Sequence, residues 1–486
     1  MDELCRFSPQ VWHQWVTISA FTETGQEESS IIVPKQRSYT GKRVISSRLA
    51  DTPCATFSIQ GFLDQLNTTL GTSYSLDNPS LSCFLEACIT SRYDFGLIYS
   101  LLRGIWCTND WSTVRDELCR REEEDREMRR KALDGNRIVN TRLPPRRVWD
   151  LYSNRVVPYW FMNLHSSESL RPISHAWVDE NDRAVVWMPI NGYEWPVPIP
   201  KDANLDLIRI EVLNLGLEYA WLDVLCLRQV GGRREDLRVE AQSKVWRRGW
   251  TTIDLHRFIH GHSIPATLGD LESDRSWFRR AWTLQEVNGD RVIAGDTPDG
   301  PLHAKRKDGK YETELLTRFH KQLESTRYVA FDVLKALEQM RKRVSTNPVD
   351  KIAGLAFLMK CRRIPAYYES ESLEHAWTAL VNVMDTECRG ELYFLCAEPG
   401  NAGKKWRPSW DQVMTNPLPA FLPCRISIHQ DEAGDEDWCD AECIEGLVRG
   451  LAVVEKGDRR GVLIAKRQGW DRTQIRDRRH PHVPNT

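Results

Sequence analysis

The stretch YAWLDVLCLRQ, residues 219–229, sets a single carboxylate, Asp223, in the middle of a run of apolar residues. Its pattern predicts a buried strand over 219–226, with Tyr219, Trp221, Asp223 and Leu225 on one face and Ala220, Leu222, Val224 and Cys226 on the other. A buried carboxylate without a partner is strongly unfavourable, so Asp223 must be paired, hydrogen-bonded or close to water. Two readings are open. Asp223, with Arg228 and Gln229 after it, stands at the carboxyl end of a strand in an open parallel sheet, where ligands bind. Alternatively, it holds a neighbouring loop's backbone N–H groups or an arginine.

The flanking residues complete a crossover unit. Upstream, ANLDLIRIEVLNLG (203–216) predicts a helix with Leu205, Ile208, Val212 and Leu215 on one face and Gly216 closing its end. RPISHAWV (171–178) predicts an earlier strand, so strand, helix and strand form a right-handed parallel unit. Downstream, SDRSWFRRAWTLQEV (273–287) predicts a capped helical segment and RVIAG (291–295) a further short strand.

Farther out the pattern is helical. PSLSCFLEACITSRYDFGLIYSLLRGIW (79–106) predicts two helices, and STVRDELCRREEEDREMRRKAL (112–133) a solvated one with opposite charges three or four residues apart. The Pro-Pro of RLPPRRVW (142–149) marks a boundary. STNPVDKIAGLAFLM (345–359) predicts a helix capped by Asn347, and LEHAWTALVNVM (373–384) an amphipathic one. The chain thus divides into a loosely ordered segment at 1–80, a helical region at 81–145, an α/β domain at 146–300 and a helical extension at 301–405. Short strands follow at 406–466, among them GLVRGLAVV (446–454) and GVLIA (461–465), and then a frayed tail at 467–486.

Composition narrows the partners. With 66 basic against 68 acidic residues the chain lacks the one-sided positive charge that nucleic acid requires, so no nucleic-acid partner is expected. The 13 cysteines include no CxxC pair and read as reduced thiols of a cytoplasmic protein, not as a disulfide scaffold or zinc site. The start MDELC lacks the basic and apolar regions of a secretory signal, and no apolar run reaches the length of about 18 residues that a membrane span needs.

Together, YAWLDVLCLRQ and WFRRAWTLQEV (277–287) resemble the heterokaryon-incompatibility (HET) domain of fungi. Tyr219, Trp221, Asp223, Cys226 and Gln229 match the family's first block, and Arg280, Trp282, Thr283, Leu284, Gln285 and Glu286 match its second. Ser174, His175 and Trp177 in ISHAW (173–177) resemble the family's opening strand, and NPVDKIAGLAFL (347–358) resembles the helix that commonly follows the domain. Two departures stand out. Arg228 occupies a position where the family usually has Asp or a small polar residue. The interval 240–269 is short and basic and lacks a buried-strand pattern, so a central strand is expected to be missing or altered.

The resemblance implies a module for non-self recognition and programmed cell death, innate-immunity-like in logic. Its expected fold is a flavodoxin- or TIR-like parallel-sheet α/β core between mainly helical N- and C-terminal regions. Such a module works through protein partners or self-association and requires no cofactor. Some TIR-like domains cleave NAD+, so the resemblance also implies an alternative, an NAD+ hydrolase with NAD as substrate. Glu286 is then the first catalytic carboxylate, stabilising an oxocarbenium-like centre or activating water, and Asp223 the second, orienting the ribose. Trp177 and Trp282 stack on rings, Arg279 and Arg280 neutralise phosphates, and Gln285 stands with them. Both carboxylates are expected at the rim of one cavity.

Plainer readings stand beside these. The tryptophans read as core, the arginines as solvated, and Glu286 as the partner of an arginine. His175 reads first as a satisfied strand-end histidine and second as a base, and Cys226 as a small buried hydrophobe. His256, His260 and His262 in HRFIHGH lack the glutamate of a zincin helix, so no metal site is expected. There is no Gly-rich phosphate loop.

Overall fold

The computed structural model describes most of residues 43–474; the main internal segments outside the description are 163–169, 176–179, 230–258, 262–267, 287–291, 302–310, 420–425, 431–435 and 450–461. The chain divides into two compact units, one of residues 1–132, 142–278 and 289–322, the other of 133–141, 279–288 and 323–486.

The first unit opens with helices α1 (Ile59–Leu70), α2 (Pro79–Thr90), α3 (Phe95–Arg103) and α4 (Val114–Lys131). The side chains of Ser58, Asn78 and Asp94 cap the first three by accepting backbone N–H groups that have no partner within the helix. Phe62, Leu63, Leu66, Leu81, Leu85, Phe95, Tyr99 and Leu102 form their common core. Residues 59–70 were expected to be loosely ordered, but the apolar triplet Phe62, Leu63 and Leu66 sits on one helical face and docks it. Only Val114 of α4 is buried, and ion pairs such as Arg129–Asp125 and Arg120–Glu117 lace its surface, as the charge spacing predicts.

The described strands of this unit build a six-stranded sheet from β1 (Arg147–Asp150), β2 (Arg155–Pro158), β3 (Leu170–His175), β4 (Tyr219–Trp221), β5 (Ile259–Gly261) and β6 (Val292–Ala294). The spatial order is β6-β5-β3-β4-β1-β2. Parallel pairs link β4 to β3, β3 to β5 and β5 to β6, whereas β1 is antiparallel to both β4 and β2. The protein is therefore α/β with a mixed sheet. The connection from β3 to β4 carries α5 (Leu205–Asn214), capped by Asn204 and closed by Gly216 at φ 76°, a left-handed conformation that glycine adopts without a steric penalty.

Three expectations are corrected. β4 ends at Trp221 instead of continuing to 226, and Asp223–Cys226 form a helical turn. The cause is local: Asp223 Oδ1 accepts the Val224 N–H at 2.7 Å, and the Cys226 N–H reaches Leu222 O at 2.8 Å, so the backbone finds its partners within the turn. In the interval where a central strand was expected to be missing or altered, a short strand, β5, is present directly beside β3. Its backbone is extended, so His260 lies on a strand and not on a metal-binding helix; His256 and His262 lie outside the described residues. With only three residues, β5 is too short to display an alternating pattern. Lastly, SDRSWFRRAWTLQEV contains two short 3-10 turns, Trp277–Arg279 and Trp282–Glu286, in place of one helix.

In the second unit, helices Val333–Arg341, Leu373–Val383 and Trp410–Thr415 bury Met340, Trp377, Leu380, Val381 and Val413. Asn347 Oδ1 accepts the Val349 N–H at 3.0 Å at the head of Val349–Ala353, as its sequence predicts, but the helix ends at Ala353 and gives way to turns within the expected 345–359. The C-terminal strands are longer than their apolar runs suggest: Asp437–Arg449 pairs antiparallel with Val462–Gln474, with an irregularity between Glu442 and Ile444. Asp437 anchors the start of this ribbon, accepting Lys404 Nζ at 2.7 Å and Trp406 Nε1 at 2.8 Å while pairing with Arg389. Among the described residues, no helix is long and apolar enough to cross a membrane.

Candidate functional site

The strand register creates the candidate site. β4 pairs with the first half of β3 and ends at Trp221 opposite Pro172, while β5 pairs with the second half, placing Gly261 opposite His175. The chain leaves β3 for β4 on one side and returns to β5 on the other. This is the topological switch at whose carboxyl edge open α/β sheets bind ligands. His175 is the last residue of β3 at that edge.

Because β4 stops early, the turn that follows brings Asp223 to the tip of β3. His175 Nε2 lies 2.6 Å from Asp223 Oδ1. With the carboxylate ionised it can only accept, and Nε2 is then the donor at this contact. Ser174, on the other face of the strand, accepts the indole N–H of Trp277 at 2.8 Å. Asp223, Ser174 and Trp277 are all buried, and His175 is partly exposed. The opening strand thus touches the segment around 223 through one residue and the segment around 277 through the next.

The other residues of the first motif block are structural. The Tyr219 hydroxyl accepts Arg103 Nη2 at 2.7 Å, and Arg103 also binds both oxygens of the fully buried Asp150, at 3.0 and 2.8 Å. This cluster ties α3 to β1 and β4. Trp221 is buried, and Gln229 Nε2 donates to Leu227 O at 2.8 Å. Burial pushes the Cys226 thiol up to about 12, and the neighbouring Asp223 charge adds to the rise, so it is a poor nucleophile.

In the second unit, Glu286 is buried at the end of its 3-10 turn. The fully buried Arg343 donates Nη1 to Arg280 O at 2.6 Å and to Thr283 Oγ1 at 2.7 Å. Burial pulls the Arg343 guanidinium down to about 9, the Glu286 charge opposes that fall, and Arg279 adds to it. Arg279, Arg280 and Trp282 are half-buried, Leu284 and Gln285 are buried, and Trp177 lies outside the described residues. The Gln285 amide has no hydrogen-bond partner among the described residues. Asp223 belongs to the first unit, where His175 meets it, and Glu286 to the second, where its charge acts on Arg343.

Sequence reasoning did not single out Trp277, Arg343 or Arg103. Trp277 stood inside the second quoted block and read as core, and nothing local distinguished the two arginines. No group of three or more metal-capable side chains occurs among the described residues. Fold and contacts together define a mixed-sheet α/β protein with a His–Asp pair at the switch point. No protein-family model, curated protein or solved structure matches the chain.

Proposed function

We propose that this chain is a HET-type module of non-self recognition and programmed cell death, acting in the cytoplasm through protein partners or self-association. The observation that carries this reading is the joining of the motif segments: His175 to Asp223 and Ser174 to Trp277. Motif residues engaged with one another in this way suit a scaffold whose surface does the work. The parallel strands, in the order second, first, third, fourth, support a flavodoxin- or TIR-like core. The NAD+ hydrolase alternative draws less support, because its first candidate, Glu286, is buried and its charge acts on the buried Arg343.

Expression of the full chain in a fungal host tests the proposal. Cell death that requires Asp223 and proceeds without loss of NAD+ is the expected result. Nicotinamide release by the purified protein, abolished by Glu286→Ala, would instead establish the enzyme. Absence of death under strong expression of the folded protein would remove the module reading.

A further inference from the structure

We propose that Arg228 is the receptor for a phosphate oxyanion, free or carried as a small-molecule ester, beside the switch point. It lies two residues past the turn Asp223–Cys226, whose carboxylate is already engaged by His175. The Nε and Nη2 atoms of Arg228 are buried, and neither has a hydrogen-bond partner among the described residues.

Those two nitrogens share one edge of the guanidinium plane. Their N–H bonds run side by side and match two oxygens of a single oxyanion. The same edge is used in this way elsewhere in the unit. In Arg129, Nε and Nη2 donate to Asp125 Oδ2 and Oδ1, each at 2.7 Å. In Arg130 they donate to Glu127 Oε2 and Oε1, again at 2.7 Å. Arg228 has the same fork, and among the described residues no carboxylate meets it. A buried cationic edge without an acceptor is unfavourable, so a ligand contributing two oxygens makes bonds that the described residues leave unmade.

The surroundings are consistent with an added ligand. The turn before Arg228 packs against the segments Pro189–Asn191 and Val197–Pro200. Between them, the Trp195 indole N–H, a donor, is also buried without a hydrogen-bond partner among the described residues. This inference does not depend on the death-module reading, because it concerns a side chain where the chain departs from the HET pattern.

The test is titration of the full chain with inorganic phosphate, and separately with adenosine monophosphate, at constant ionic strength, read by thermal shift and calorimetry. Wild type is expected to show a saturable response to phosphate. In Arg228→Gln the apparent affinity should fall by at least about tenfold. Arg228→Lys, which keeps the charge and loses the fork, should fall between the two. Tighter binding of the monophosphate assigns an ester as the ligand, and equal binding assigns free phosphate. A saturable response of equal affinity in Arg228→Gln overturns the proposal, as does no saturable response in wild type to either probe. Failure of Arg228→Gln to fold without phosphate also overturns it, since the edge would then have a structural role.

Discussion

His175 and Asp223, 48 residues apart in the chain, meet at 2.6 Å at the carboxyl edge of the sheet. The contact depends on a strand that ends early: had β4 continued through 226, Asp223 would have been a ladder residue. The apolar run is interrupted where its carboxylate can reach both a backbone N–H and an imidazole.

Replacing Asp223 by Ala removes both acceptor roles. The expected loss of stability is about 1–3 kcal/mol, with Asp223→Asn costing less because the amide oxygen can still accept from Val224. Urea unfolding of the variants measures this. If the proposed function holds, cell death is lost in Asp223→Ala and in His175→Ala alike.

Arg103 is a stronger structural determinant than any residue of the candidate site. Its side chain is almost fully buried between Asp150, Glu218 and Tyr219. Arg103→Met strands the buried Asp150 carboxylate and should cost about 3–5 kcal/mol. The double variant Arg103→Met, Asp150→Leu should recover part of that loss, because it removes both charges. A double variant no more stable than the single one would show that the pair does more than neutralise its own burial.

Acid should destabilise both units. Burial tends to raise the Asp150 carboxyl, but the Arg103 guanidinium overrides it and holds the group below its ordinary value of 3.8. For Asp437, burial is likewise outweighed, by Lys404, Trp406 and Arg389. A carboxyl depressed in the folded state contributes stability above its unfolded pKa and loses it as pH falls through the folded one. Melting temperature should therefore change little on these groups' account down to about pH 5 and fall steeply below about pH 4. Asp437→Asn should flatten that fall; an unchanged acid limb would refute the assignment.

Alkylation should separate the cysteines by burial. Burial pushes the thiols of Cys54, Cys88, Cys226 and Cys388 up to about 12, while Cys83, Cys107 and Cys119 are exposed. Iodoacetamide on the native protein should label the exposed three and spare the buried four until denaturant is added. Peptide mass spectrometry reads the pattern. Rapid native labelling of Cys226 would mean that the turn opens.

Helix periodicity and caps were legible because they are local: Gly216 and Asn347 sit where the residue pattern predicts, and helix α4 shows its charge spacing directly. The parallel pair of β3 and β4 followed from a helix lying between two apolar runs. The end of β4 and the existence of β5 were not legible. A carboxylate inside an apolar run has several possible partners, and a three-residue strand carries too little pattern to register. The sequence by itself determined the helices that show clear periodicity or charge spacing, such as Leu205–Asn214 and Val114–Lys131, and that Asp223 needs a partner. Only the tertiary structure decided that the partner is His175, that Ser174 accepts from Trp277, and that the charge of Glu286 acts on Arg343. The reason is physical: the cost of burying a polar group is set by the residue itself, but the group that meets it is chosen by register and packing across the chain.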